Sequence, residues 1–293
     1  FIGDTVDMLV PENATLEQIE SARARLGLDK PLPVQYGIFI RDVLHGNFGK
    51  SYIYGKPAMD LIFERMPATL ELVAVAACLV LCIAIPLGVY AGAYPKRASS
   101  KLIMSGSILG ISLPSFWVGM MMIYIFAVVL RLLPASGRGN TVMVGNVALS
   151  IFAPGGIRYV ILPAITLALT NVATMLRLTR SGILENMRQD YIKFARAKGV
   201  PAKSILFGHA LKNALIPVVT IFGMDLGNMI AFTTITETIF AWPGMGKLLI
   251  DAINKSDRPI IVAYLMAAAC MFVVLNFIVD ILYTLIDPRI ELR

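Results

Sequence analysis

A chain of 293 residues that is 57% hydrophobic and only 15% charged, with a mean hydropathy of +0.73, carries too little polar surface to be a water-soluble domain. Its net charge of +7 and pI near 9.4 do not indicate nucleic acid, because Lys and Arg fall in short segments between apolar runs instead of along one stripe with interleaved aromatics. The cysteines Cys78, Cys82 and Cys270 lie in apolar runs without a CxxC pair, and His45 and His209 are far apart, so no metal site and no catalytic residue is expected. Buried thiols acting as small apolar side chains account for the cysteines.

Residues 1–68 form a leader. Helical spacing runs from Val10 to Leu26 and ends at Gly27, Pro31 and Pro33 break it, and a second helical period covers Val34 to Leu44. A short amphipathic helix near 58–66, with Leu61, Ile62 and Met66 on one face, is predicted to lie against the membrane before Pro67. Five apolar runs then follow, at 69–93, 102–131, 159–179, 213–236 and 260–286. Each is long enough to cross ~30 Å of hydrocarbon. The chain therefore divides into an external leader, a transmembrane domain over 69–286 and a tail over 287–293.

Orientation follows from Lys and Arg in the short connections. Segments 95–101 and 177–212 and the tail hold thirteen bases against four acids, which makes them cytoplasmic. Loops 132–158 and 237–259 belong to the other side, with the leader, whose nine acids exceed its seven bases. A leader that is already external needs one more span to begin in the cytoplasm. A sixth helix is expected before residue 1.

The most informative connection is the cytoplasmic loop 181–212. Ala195 and Ala197 favour helix, Gly199 suits a left-handed C-terminal cap, and Pro201 suits the first turn of a following helix. Helix, sharp turn and short helix make a knob held out in water by Lys and Arg, on which a partner protein can dock. The alternative is a basic loop that merely obeys the orientation rule.

Asp225 falls near the centre of the fourth run, where an ionised carboxylate costs roughly 2.5–3.5 kcal/mol. Asn228 shares its helix face, while Gly223 and Gly227 admit a close neighbouring helix. Thr166, Thr170 and Thr174 recur at four-residue spacing with Asn171 beside them. These groups line a wet path or hydrogen-bond between helices; the path is the reading for Asp225, interhelical bonding for the threonine stripe. Beyond this run, Glu237, Phe240, Trp242, Pro243 and Gly244 open the loop 237–259, where the aromatics suit a membrane interface and residues 246–254 suit a short helix. An external gate and a plain interfacial hairpin are both open.

No GxxxxGK[ST] loop is present, so the chain has no phosphate cradle for ATP. HExxH and GxSxG are likewise missing, which disfavours an intramembrane enzyme. A secondary transporter using Asp225 as a cation relay stays open beside an ATP-driven one.

The run YxxxARAKG at 191–199, followed by HALKNALIPVV at 209–219, resembles the coupling loop of binding-protein-dependent ABC importer permeases. The family pattern E-A-A-x3-G falls on Lys193, Phe194, Ala195 and Gly199, so an acid and an alanine are replaced. Such departures are similar to the peptide and nickel branch of the family. LGLDKPLPVQYG at 26–37, GNFGKS at 46–51, PATLEL at 67–72, IPLGV at 85–89, LPAS at 133–136, ILPA at 161–164, TETIFAWPGMGKLL at 236–249 and DPRI at 287–290 extend the resemblance over nearly the whole chain, and FIGDTV at 1–6 looks like the segment after the first helix.

The resemblance implies an all-α polytopic bundle with the type I importer permease fold, in a bacterial cytoplasmic membrane. It implies that Tyr191, Phe194, Ala195, Arg196, Ala197, Lys198, Gly199, Pro201 and His209 belong to the loop that docks on an ATPase. Four kinds of partner follow from it: a second homologous permease, two ATPase subunits holding ATP and Mg, a periplasmic or lipid-anchored binding protein, and membrane lipid. No cofactor is implied on this chain. Peptides are the first cargo class, with glutathione and a nickel chelate as alternatives.

Overall fold

The computed structural model describes residues 14–25 and 29–286. The expectations for FIGDTV, for the first residues of the leader helix, for Gly27 and for DPRI lie outside them. Helix α1 (Leu16–Arg25) opens on a capping box, with Thr15 N donating to Gln18 Oε1 at 3.0 Å and Gln18 N to Thr15 Oγ1 at 3.4 Å. Helix α2 (Leu32–Leu44) starts directly after Pro31.

Helix α3 (Ala58–Ala93) is one 36-residue rod that runs through Pro67 and Pro86. The short surface helix expected at 58–66 is therefore its first two turns. Leu61 and Ile62 do not face lipid; they are buried against Met245, Leu248, Ile260, Ala263 and Tyr264. The run 102–131 is not one straight span either. Helices α4 (Ala98–Ser112) and α5 (Ser115–Met122), the latter continued by wide π-helical turns over Ile123–Val129, meet at an angle of 105°. Pro114 causes the break by keeping Leu113 extended, at φ −87° and ψ 130°.

A two-stranded hairpin, β1 (Val142–Val144) and β2 (Val147–Leu149), follows in antiparallel register, with Val142 opposite Leu149 and Val144 opposite Val147. Helix α6 (Ile157–Asn186) then crosses the bundle to α7 (Asp190–Ala197). After the turn at Gly199, α8 (Ala202–Ser204) runs through π-helical turns at Ile205–Ala210 into α9 (Leu211–Ile239). Helices α10 (Met245–Asn254) and α11 (Arg258–Ile286) complete the described chain. Among the described residues, four helices are long and apolar enough to cross a membrane, and the bent pair makes a fifth if it counts as one span.

The central core is built by α3, α6 and α9 around Leu72, Val80, Val160, Met175, Val218 and Met229, with Trp242 sealing one end. A second core packs α10 and α11 on the start of α3, and a third packs Ile192 and Ile205 on Val89, Ile183 and Ala214. The bundle thus has a leader end, where α10 and the hairpin sit, and a basic end, where α7 sits. On α9, a Cβ at Gly227 would stand 2.6 Å from the Phe272 ring and one at Gly223 would collide with Val279, so these two glycines let α11 come close, as their spacing predicted. The three cysteines are exposed on this chain, a correction to the expectation of burial: their turns of α3 and α11 face away from the cores.

Candidate functional site

At the basic end, α7 is amphipathic. Ile192 is completely buried, while Tyr191, Phe194, Arg196, Ala197 and Lys198 are exposed, Phe194 to 62%. Ala195 is half-buried beneath them. The helix ends in a Schellman turn, with Val200 N donating to Ala195 O at 3.2 Å and Gly199 N to Arg196 O at 3.0 Å. Gly199 has φ +76° and open space where a side chain would stand, so its glycine is required by the backbone and not by crowding.

Lys198 Nζ lies 4.4 Å from the centre of the Phe194 ring. Lys193 Nζ donates to Asp190 Oδ1 at 2.8 Å, which holds the Asp190 carboxyl below the usual carboxylate range. Pro201 and His209 are exposed on the far side of the turn, beside Phe207. Tyr191 has a task that the sequence did not reveal. Its hydroxyl donates to Asn186 Oδ1 at 2.7 Å and accepts from Asn213 Nδ2 at 2.9 Å, tying α7 to the end of α6 and the start of α9.

Midway along the bundle, Asp225 and Asn228 on α9 and Thr170, Asn171 and Thr174 on α6 line one cavity of about 330 Å³, with Ser115, Phe232 and Thr236 also in its lining. The structure brings together all four residues expected on the path. The threonines do not bridge helices, which corrects the reading of the stripe. Thr166 Oγ1 donates to Leu162 O at 2.9 Å and Thr174 Oγ1 to Thr170 O at 3.2 Å, both within α6.

The segment after α9 departs most from expectation. Phe240 and Trp242 are not at a membrane interface but fully inside, at 2% and 0% exposure. Trp242 Nε1 donates to Ala68 O at 2.9 Å, giving the indole its polar partner. Glu237 is also completely buried. It accepts from Thr69 Oγ1 at 2.6 Å and from Lys247 N at 2.9 Å, while Thr69 Oγ1 accepts from Met245 N at 2.9 Å. A carboxylate from α9 thereby caps the first turn of α10, where the helix dipole favours it. Pro243 and Gly244 make the turn between, and any Cβ at Gly244 would collide with the Glu237 carboxylate.

A second buried acid, Glu71, stands two residues after Thr69 on α3. Glu71 Oε1 accepts from Ser150 N at 2.6 Å, Ser150 Oγ at 3.0 Å and Ile151 N at 2.7 Å, and Oε2 accepts from Arg138 Nε at 3.0 Å. Arg138 also lies over the Trp242 ring, 5.6 Å from its centre. A third acid, Asp257, accepts from Ser51 Oγ at 2.6 Å and Tyr52 N at 3.3 Å, clamping the leader loop to the start of α11. Glu71, Arg138, Thr69 and Asp257 were not singled out from the sequence. The signal for Glu71 was available: an acid inside an apolar run demands partners. Among the described residues no group of His, Cys, Asp and Glu is arranged to hold a metal ion.

Four similarities bear on this geometry. The family described as "Binding-protein-dependent transport system inner membrane component" matches residues 84–292. The probable D,D-dipeptide transport system permease protein DdpB of Escherichia coli is 37% identical over 98% of this chain and 88% of its own length. The oligopeptide transport system permease protein AppB of Bacillus subtilis is 38% identical over 99% of this chain and 90% of its own. Among solved structures, the inward-facing MetNI methionine ABC transporter aligns with a TM-score of 0.61 at 16% identity, covering 78% of this chain and 97% of that one, which shows the fold. With an apolar helical bundle, a knob at its basic end and a family match over most of its length, the chain belongs to the inner-membrane permease components of binding-protein-dependent ABC importers.

Proposed function

We propose that this permease carries small peptides, handed over by a binding protein at the leader end, through the cavity at Asp225. The close relatives that are named as dipeptide and oligopeptide permeases support this cargo. A second permease copy or homologue supplies the opposite wall. Two ATPase subunits, which hold the ATP and Mg, sit at the basic end, and this chain catalyses no chemistry itself.

The observation that carries the proposal is the build of α7. An exposed Phe194 beside a rigid glycine-capped turn is an anchor suited to a groove, and the buried Ile192 and the bridging Tyr191 fix the anchor to the bundle. Closure of the ATPase pair then pushes on α7, and the bundle rocks about the path. The leader end, where Glu237, Phe240, Trp242, Pro243 and Gly244 lock α9 and α10 onto α3, acts as the outer gate.

The test is uptake of a labelled dipeptide into proteoliposomes that hold the full transporter and its binding protein. Uptake is expected to require ATP and to stop with Gly199→Asp, which forces a side chain into the left-handed region at the knob. Uptake that runs on an ion gradient without any ATPase subunit overturns the proposal.

A further inference from the structure

The cavity at Asp225 is biased in its chemistry as well as in its charge. No Lys, Arg or His stands among its lining residues; Asp225 is the sole charged group, set among hydroxyls and amides. Part of the hydrogen-bond donors of that lining is engaged already: Thr166 and Thr174 donate to carbonyls of their own helix, and Asn171 Nδ2 donates to Leu167 O at 3.3 Å. These side chains keep their oxygen lone pairs for whatever enters. A visitor that carries negative charge finds no cationic side chain and a carboxylate facing it. A visitor that brings a positive charge and several donors finds acceptors on two helices.

We infer that this cavity is a subsite for a protonated primary amine, the free α-ammonium of a peptide, with Asp225 as counter-charge and the Asn171 and Thr174 oxygens as neutral acceptors. An ammonium offers three donors and needs one charge and a few oxygens. The lining provides that set. A divalent cation takes roughly six to eight oxygens, several of them charged, which one carboxylate does not supply. The geometry also assigns polarity to the cargo. The carboxylate end of a zwitterionic peptide is repelled from this wall and is turned toward the opposite one. The inference rests on the reading of the cavity as the peptide path.

The test uses the assembled transporter in proteoliposomes with its binding protein, pre-loaded at saturation with a free-amine dipeptide or with the same dipeptide acetylated at its N-terminus. Asp225→Asn is expected to slow uptake of the free-amine peptide by about tenfold or more, the loss of one charge-assisted contact. Uptake of the acetylated peptide is expected to stay within about twofold, and binding to the ATPase subunits to be unchanged. Asn171→Leu removes an acceptor and keeps the charge, so a loss of roughly threefold confined to the free-amine peptide is expected. If Asp225→Asn fails to assemble, Asn171→Leu decides by the same comparison. Variants that slow both peptides equally, or neither, overturn the subsite while leaving the importer intact. Wild-type uptake without ATP overturns instead the reading on which the subsite rests.

Discussion

At the leader end Glu71, Glu237 and Asp257 are buried, and each is held by donors from other elements of the fold; at the basic end α7 stands on Ile192, Ala195 and the Tyr191 hydroxyl, with Phe194 in the open. The charges that cost most to bury are concentrated where the loops must be held in one arrangement. The exposed aromatic is kept where a second protein can supply the missing contacts. One end of the molecule is thus held by its own buried acids, and the other is the end that the proposed function gives to a partner.

Four substitutions sharpen this contrast, and the largest effect is expected at the leader end. Arg138→Ala leaves Glu71 with an uncompensated buried charge, so a loss of about 3–5 kcal/mol is expected. Thermal unfolding of the detergent-solubilised complex reads it, and an unchanged midpoint would show that the Glu71 cluster is incidental. Phe194→Ala is expected to weaken ATPase binding by about 2 kcal/mol with no change in thermal midpoint. Co-purification together with calorimetry separates the two readouts.

Trp242→Phe keeps an aromatic side chain, though a smaller one, and removes the donor to Ala68 O, at a cost of roughly 1–3 kcal/mol for the unsatisfied carbonyl. The expected result is a lower midpoint with ATPase binding intact. Lys193→Ala removes an exposed ion pair with Asp190 and is expected to leave the thermal midpoint unchanged. A large effect of Lys193→Ala on stability would contradict the view that the basic end is lightly held.

Much of this architecture was legible in residue order, and the exceptions have physical causes. Four of the five apolar runs are long helices because a run of that length needs only hydropathy to be recognised. The bend at Pro114 was hidden because a hydropathy average over 102–131 carries no information on the one dihedral that turns the chain. Asp225, Asn228, Thr170 and Asn171 were found together since a carboxylate in an apolar run must face something polar, and four-residue spacing names its neighbours. Trp242 was misplaced at an interface because residue type alone does not say whether an indole meets lipid headgroups or a backbone carbonyl 174 positions away. Glu71 and Asp257 share that cause, as their partners are distant in sequence.

The hydroxyl of Tyr191 joins the last turn of α6 to the first turn of α9, and those helices carry the two walls of the Asp225 cavity. Under the proposed coupling, a push at Phe194 reaches both walls from one root, the Tyr191 hydroxyl together with the Ile192 side chain packed on Ile183 and Ala214. Asn171 and Asp225, one on each wall, thus sit on helices that share this footing. On the proposed function, the cavity is expected to change against the wall that faces it and not between α6 and α9.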